Sequence, residues 1–167
     1  NNKKLFFVNV KNTFKIKSKK VLIENQKIVF VDQNYKSKRK NIEKKSGYKV
    51  LSKKNFCFNN VILFRYSAIT YNSHRIHYDL DYTKKQEGYK NLLVHGPLLA
   101  SYVLNQLSLM KSLEIVSFEF RMLKPVIVNE KIKVNIFKSL VNINKFKVTI
   151  VSMHTNELKL IATCFSK

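Results

Sequence analysis

The feature that most restricts how this chain can fold is one apolar helical run followed by four runs of alternating apolar residues. Pro97 suits the first position of a helix, where its missing N–H costs nothing, and Leu99, Val103, Leu107 and Met110 then recur at helical spacing. Leu98, Tyr102 and Leu104 widen that surface until it covers most of the circumference, as in a helix wrapped by other elements rather than laid on them. Strand-like runs follow near residues 113–123, 126–138, 143–154 and 158–165. Alternation is clear at Ile132, Val134 and Ile136 and again at Leu158, Leu160, Ala162 and Cys164. One long helix clasped by a curved antiparallel sheet meets both requirements, which makes the fold class α+β.

The remainder of the chain divides by composition. Residues 5–16 and 20–31 are rich in Val, Ile and Phe with partial period-two alternation and are expected to form a hairpin, with the basic segment Lys17 to Lys20 at its turn. From Asp32 to Asn55 the chain turns to Lys, Asn and Ser with little periodicity, the pattern of a linker or long loop. The apolar run at 61–70 reads as a strand and leads into a stretch rich in His and Tyr that ends near Asn91.

A length of 167 residues with 45% apolar content is enough for a folded core. The formal charge of +22 raises nucleic acid or an anionic surface as a partner. Yet only Arg39, Arg65, Arg75 and Arg121 among the 32 basic residues are arginine, the side chain that makes bidentate contacts to phosphate and guanine. The charge therefore reads as a lysine-rich compositional bias, with no specific nucleic acid expected, although it would attract a polyanion such as coenzyme A. Basic runs such as KSKRK at residues 36–40 suit a solvated linker.

Cys57 and Cys164 lack CxxC or Cys/His spacing, so no metal site is expected and a reducing compartment is. No run reaches the ~18–20 apolar residues of a membrane span. The expected location is cytoplasmic, with the mitochondrial matrix as alternative because the first 23 residues contain no acid.

Three of the four histidines, His74, His77 and His95, fall within the segment before the helix. Zinc would require a third and usually a fourth ligand at its own spacing, which the neighbouring residues do not offer. Acid–base chemistry suits the cluster better, because imidazole titrates near neutrality and can both accept and return a proton.

The stretch FRYSAITYNSHRIHYDLDY at 64–82, followed by EGYKNLLVHGPLLA at 87–100, closely resembles the MaoC-like hydratases, and most of all the branch with mesaconyl-CoA and itaconyl-CoA hydratases and type 2 hydroxyacyl-thioester dehydratases. That resemblance implies a hot-dog fold and reversible hydration of an enoyl thioester carried by CoA or an acyl-carrier protein, with no cofactor. It places His77 at the family's catalytic histidine and Asn72 where the wider family has an aspartate. An amide cannot shuttle protons, so Asn72 would orient the water while His77 acts as base. Gly96 opens the helix, where backbone N–H groups and the dipole can polarise the thioester carbonyl. Arg75 stands where the wider family has proline and would bind a substrate carboxylate or else pair with Asp79 or Asp81. His95 and Tyr78 are further candidates for substrate binding, with structural roles as the alternative. Tyr66, Tyr71, Tyr82 and Tyr89 supply pocket wall or simply core, and His154, on a late strand, is expected to be structural.

Residues 5–31 resemble the last strands of a hot-dog repeat, either trimmed in front or reduced in the gene. The expected organisation is therefore a strand-pair remnant at 1–35, a basic linker at 36–55 and the catalytic hot-dog at 56–167. Because hot-dog sites lie where two hot-dogs meet, the chain is expected to form a homodimer or pair with a separate half. Competing readings are a degenerate hot-dog kept for binding or assembly, and a thioesterase with Asp79 or Glu87 as its carboxylate.

Overall fold

The computed structural model describes residues 5–31, 47–110 and 113–167. Contacts divide the chain into two units, residues 1–41 and 42–167. The first contains strands β1 (Leu5–Ile16) and β2 (Lys19–Val31), paired antiparallel as the sequence leads one to expect. Lys17 and Ser18 form the turn with φ of 45° and 68°, left-handed at both positions as in the type I′ hairpin turns whose twist matches that of the strands. Neither residue is the glycine that adopts it most cheaply. A register shift follows between Phe14 and Lys15.

The second unit holds α1 (Asn60–Thr70), α2 (Leu80–Lys85), α3 (Gly96–Ser108) and a five-stranded antiparallel sheet. Its strands are β3 (Tyr48–Phe56), β4 (Ile115–Met122), β5 (Ile132–Ser139), β6 (Lys145–Ser152) and β7 (Leu158–Ser166), in the order β3-β5-β6-β7-β4. Strand β6 alternates strictly, with Phe146, Val148, Ile150 and Ser152 buried. On α3 the residues Leu99, Val103 and Leu107 are wholly buried and pack with Val126, Ile132, Val134, Val148, Ile150 and Leu160 of the sheet side. Ser101, Asn105 and Ser108 keep one stripe of the helix exposed. This is the helix-in-sheet hot-dog arrangement.

Several local expectations are corrected. Residues 61–70, expected as a strand, are α1. Their β-branched and aromatic content favours a strand locally, but the Asn59 side chain accepts the Ile62 N–H and caps a helix, which ends at Tyr71 with φ 51°. Only Leu63 and Ser67, four residues apart, are buried on it, so the apolar Val61, Phe64 and Ile69 face outward and hide the helical period.

Residues 48–55, expected in the linker, form most of β3, which pairs with β5 from Tyr48↔Ser139 to Phe56↔Ile132. β3 is an edge strand whose Lys49, Lys53 and Lys54 are exposed; charged edges blunt unwanted pairing and erase the alternation a strand search relies on. The rest of the expected linker before residue 47, with the run at 36–40, lies outside the described residues. Residues 126–131 form an irregular approach to β5 rather than its start, and His154 sits exposed in the β6–β7 turn rather than on a strand.

Truncating Leu99 to Ala is expected to cost about 3 kcal/mol, because nothing nearby can refill a wholly buried site, whereas Val141→Ala at the exposed β5–β6 turn should change stability by no more than about 0.5 kcal/mol. Denaturant melts of the two variants check this ordering.

Candidate active site

The site is assembled by three short segments. Residues Leu92–Val94 run beside 126–128, with Val94 N–H donating to the Val126 carbonyl and Val128 N–H to that of Leu92. On the other side Leu93 N–H donates to the Ile76 carbonyl, which ties this segment to the 3₁₀ turn Arg75–His77. The same residue then closes the connection from its other end, as the Leu93 carbonyl lies 2.8 Å from His77 Nδ1. A carbonyl only accepts, so Nδ1 carries the proton and Nε2 of the neutral ring holds the lone pair.

His95 caps α3 by position, but its side chain makes no capping bond. Its ring lies nearly parallel to that of His77, with centroids 3.6 Å apart and planes 20° apart. The His95 Nε2 and Ser67 Oγ are 2.8 Å apart, which connects the stack to the buried face of α1. Tyr66 meets His95 edge-on at 4.8 Å, and the exposed His74 meets His77 edge-on at 5.6 Å.

This geometry controls charge. Burial pushes the His77 pKa below the ordinary histidine value, the hydrogen bond to the Leu93 carbonyl opposes that, and His74 adds to the lowering. His95 is wholly buried and is pushed down to about 4, by burial first and then by His77 and His74. Both stacked rings are therefore neutral at pH 7, and His77 presents an unprotonated Nε2.

The N-terminus of α3 adjoins the stack through the His95–Gly96 peptide. With no side chain capping it, the first-turn N–H groups remain available to an acceptor, and the helix dipole favours negative charge there. A Cβ added at Gly96 would meet Met122 Cγ at 3.5 Å, an ordinary contact. The protein's own packing thus does not demand glycine.

The remaining candidates divide. Asn72 Oδ1 accepts the His74 N–H at 3.0 Å, which shapes the loop before the 3₁₀ turn and uses one side of the amide. The exposed Arg75 donates from Nε and Nη2 to Asp79 Oδ2 at 3.1 and 2.6 Å and stacks 4.3 Å above the Tyr82 ring, so the ion pair weighed in the sequence exists and involves Asp79. Tyr78 Oη donates to the Ser73 carbonyl at 2.8 Å. Asp79 also caps α2, and Tyr82 Oη donates to Glu87 Oε1 at 3.2 Å. Of the sequence candidates, His74, His77 and His95 are brought into ring contact and Gly96 adjoins them along the chain; Arg75 and Tyr78 engage their own loop. Ser67 is the residue the sequence did not single out. One serine in an apolar run gives no chemical signal, and only its four-residue spacing from Leu63 marks it as inward-facing.

Comparison with known proteins agrees with this architecture. The chain matches the family described as hydroxyacyl-thioester dehydratase type 2 over residues 1–128. It is 48% identical over 65 residues to mesaconyl-C(4)-CoA hydratase of Chloroflexus aurantiacus, covering 39% of this chain and 23% of that protein. It is 38% identical over 77 residues to the mitochondrial hydroxyacyl-thioester dehydratase type 2 of Schizosaccharomyces pombe, covering 44% of this chain and 26% of that one. The aligned parts amount to about a quarter of the length of these curated relatives, 23% and 26%. Among solved structures, the MaoC-like dehydratase from Phytophthora capsici superposes with a TM-score of 0.70 at 14% identity, covering 96% of this chain and 56% of that one, which shows the shared fold. With the profile match spanning well over half its length, the chain belongs to the hydroxyacyl-thioester dehydratase type 2 family.

Proposed function

We propose that this chain carries the catalytic half-site for reversible hydration of an enoyl thioester to a 3-hydroxyacyl thioester. The observation that carries this reading is the pairing of His77 Nδ1 with the Leu93 carbonyl, which leaves a neutral, buried imidazole with its basic Nε2 free beside the uncapped start of α3.

In the hydration direction, His77 Nε2 takes a proton from water as the oxygen bonds to C3. The electron pair of the double bond moves into the thioester carbonyl, and the resulting enolate is met by the Gly96 N–H and the α3 dipole. C2 then receives a proton from the imidazolium, which restores His77; dehydration runs the same steps backwards. Asn72 supports the water with the side of its amide that the His74 N–H does not occupy. Glycine at 96 keeps backbone close to the substrate, a use consistent with the room available for a Cβ there.

A dicarboxylic acyl group suits the exposed guanidinium of Arg75, which would trade part of its bonding to Asp79 for a substrate carboxylate; the Chloroflexus relative, by its name, acts on mesaconyl-C(4)-CoA. His95 and Tyr78 act in this reading through the loop and ring packing around His77. A thioesterase is disfavoured because both carboxylates it would use are engaged, Asp79 with Arg75 and the α2 N-terminus and Glu87 with Tyr82 Oη.

We further propose that the pocket is completed by a second hot-dog, from another copy or a separate half. Strand β4 is an edge of the sheet with Val116 and Phe120 exposed, which leaves unpaired backbone and apolar area at that side. The compartment proposed is a reducing one, cytoplasmic or, as the fission yeast relative's name has it, mitochondrial.

Absorbance assays with crotonyl-CoA, mesaconyl-CoA and itaconyl-CoA are expected to show hydration without thiol release, with His77→Ala lowering kcat/KM by about 10²–10⁴-fold. Unchanged turnover in that variant would remove His77 from the mechanism. Gly96→Ala is expected to melt within a few degrees of the wild type yet lose most activity, since the added methyl fits the protein but blocks the carbonyl; a variant that unfolds would instead make Gly96 structural. Because the His77 pKa is lowered, kcat/KM should stay level as pH falls through the ordinary histidine range near 6.5 and decline only below it, a limb that His77→Gln should abolish.

A further inference from the structure

The hydration steps leave a nitrogen of the buried His95 unused. His95 is wholly buried, only its Nε2 has a partner, and its Nδ1 has no hydrogen bond. An imidazole half satisfied in the interior is costly, and a leucine would fill similar space without that cost. A residue held there for volume alone would not need Ser67, which α1 brings inward at 2.8 Å from Nε2 while its neighbours Ala68 and Ile69 face out. The ring's one close aromatic face contact is with His77, at 3.6 Å and 20°.

We propose that Ser67 and His95 are positioning residues for His77, an imidazole pinned by a hydroxyl that lies parallel to the base and fixes the plane of its ring. The Leu93 carbonyl fixes which nitrogen of His77 is basic but leaves the ring free to swing about that one bond; the His95 face removes this freedom. When His77 takes a proton, the adjacent ring offers a polarisable neutral surface to the imidazolium. Burial keeps that surface uncharged, with His95 held down to about 4. The titratable groups facing the pair are His74, which precedes the 3₁₀ turn, and Tyr66 from α1, while Arg75 and Asp79 of the same region satisfy each other. Ser67 enters the mechanism only through His95, and His95 only through His77.

The test is an NMR titration of the ¹⁵N-histidine-labelled chain, with parallel kinetics on crotonyl-CoA. The wild type is expected to show His77 protonated on Nδ1 when neutral. In Ser67→Ala the His77 titration midpoint should move while its Nδ1–H tautomer, set by the Leu93 carbonyl, is kept, with kcat falling about ten-fold and KM changing far less. Ser67→Thr should restore both. His95→Gln, which keeps polar groups but removes the ring, carries the same comparison should Ser67→Ala fail to fold. A folded Ser67→Ala or His95→Gln protein whose His77 titration matches the wild type would overturn the proposal. A wild type that turns over none of the thioesters, but whose His77 titration midpoint depends on Ser67, would sink the hydration reading and uphold the positioning.

Discussion

Two imidazole rings stacked 3.6 Å apart in a protein interior are tolerated only while at least one stays neutral, because two cations at that distance and low polarity repel strongly. The rest of the second unit is arranged around this condition. Burial of His95 beneath α1 suppresses its protonation, and the Leu93 carbonyl holds His77 in the tautomer that leaves Nε2 basic. The segment 92–94 is in turn held by 126–128 on one side and Ile76 on the other, so the orientation of the His77 ring depends on backbone bonds that span three separate parts of the chain.

The same economy appears in how the chain handles its charge. Lysine dominates the basic residues, and those on β3 stand on an exposed edge, where they cost little and discourage pairing with other sheets. Where a lysine is buried it is paired: Lys159 Nζ lies 3.0 Å from Glu130 Oε1 and donates to the Pro125 carbonyl at 3.2 Å. Near the histidines Arg75 and Asp79 satisfy each other at the surface. The described lysines of β3 stand at the surface, while the stacked rings stay neutral.

Elements with a strong period were legible in advance. Helix α3 and the alternating strands β6 and β7 each present a repeat that only one geometry satisfies, and the hairpin strands add Val, Ile and Phe content to a partial alternation. The sequence pattern is obscured where burial is slight. In α1 only Leu63 and Ser67 turn inward, so the apolar outer residues mask the 3.6 period, and in β3 the edge position leaves both faces largely exposed. Of the site, the motif marks His77 and Gly96; for Arg75 the sequence is compatible with a substrate carboxylate or an ion pair, and the structure displays the pair with Asp79. Ser67 was unmarked, because its partner lies 28 residues away.

The sequence by itself determined that a buried helix must be enclosed by an antiparallel sheet and that a histidine cluster precedes that helix, since hydrophobic period and residue type are local properties. Only the tertiary structure decided which nitrogen of His77 is basic, that His95 lies parallel to it, and that Ser67 completes the group. Those facts depend on a carbonyl, a ring face and a hydroxyl contributed by segments far apart along the chain, and hydrogen-bond geometry between them exists only once the backbone has closed around the helix.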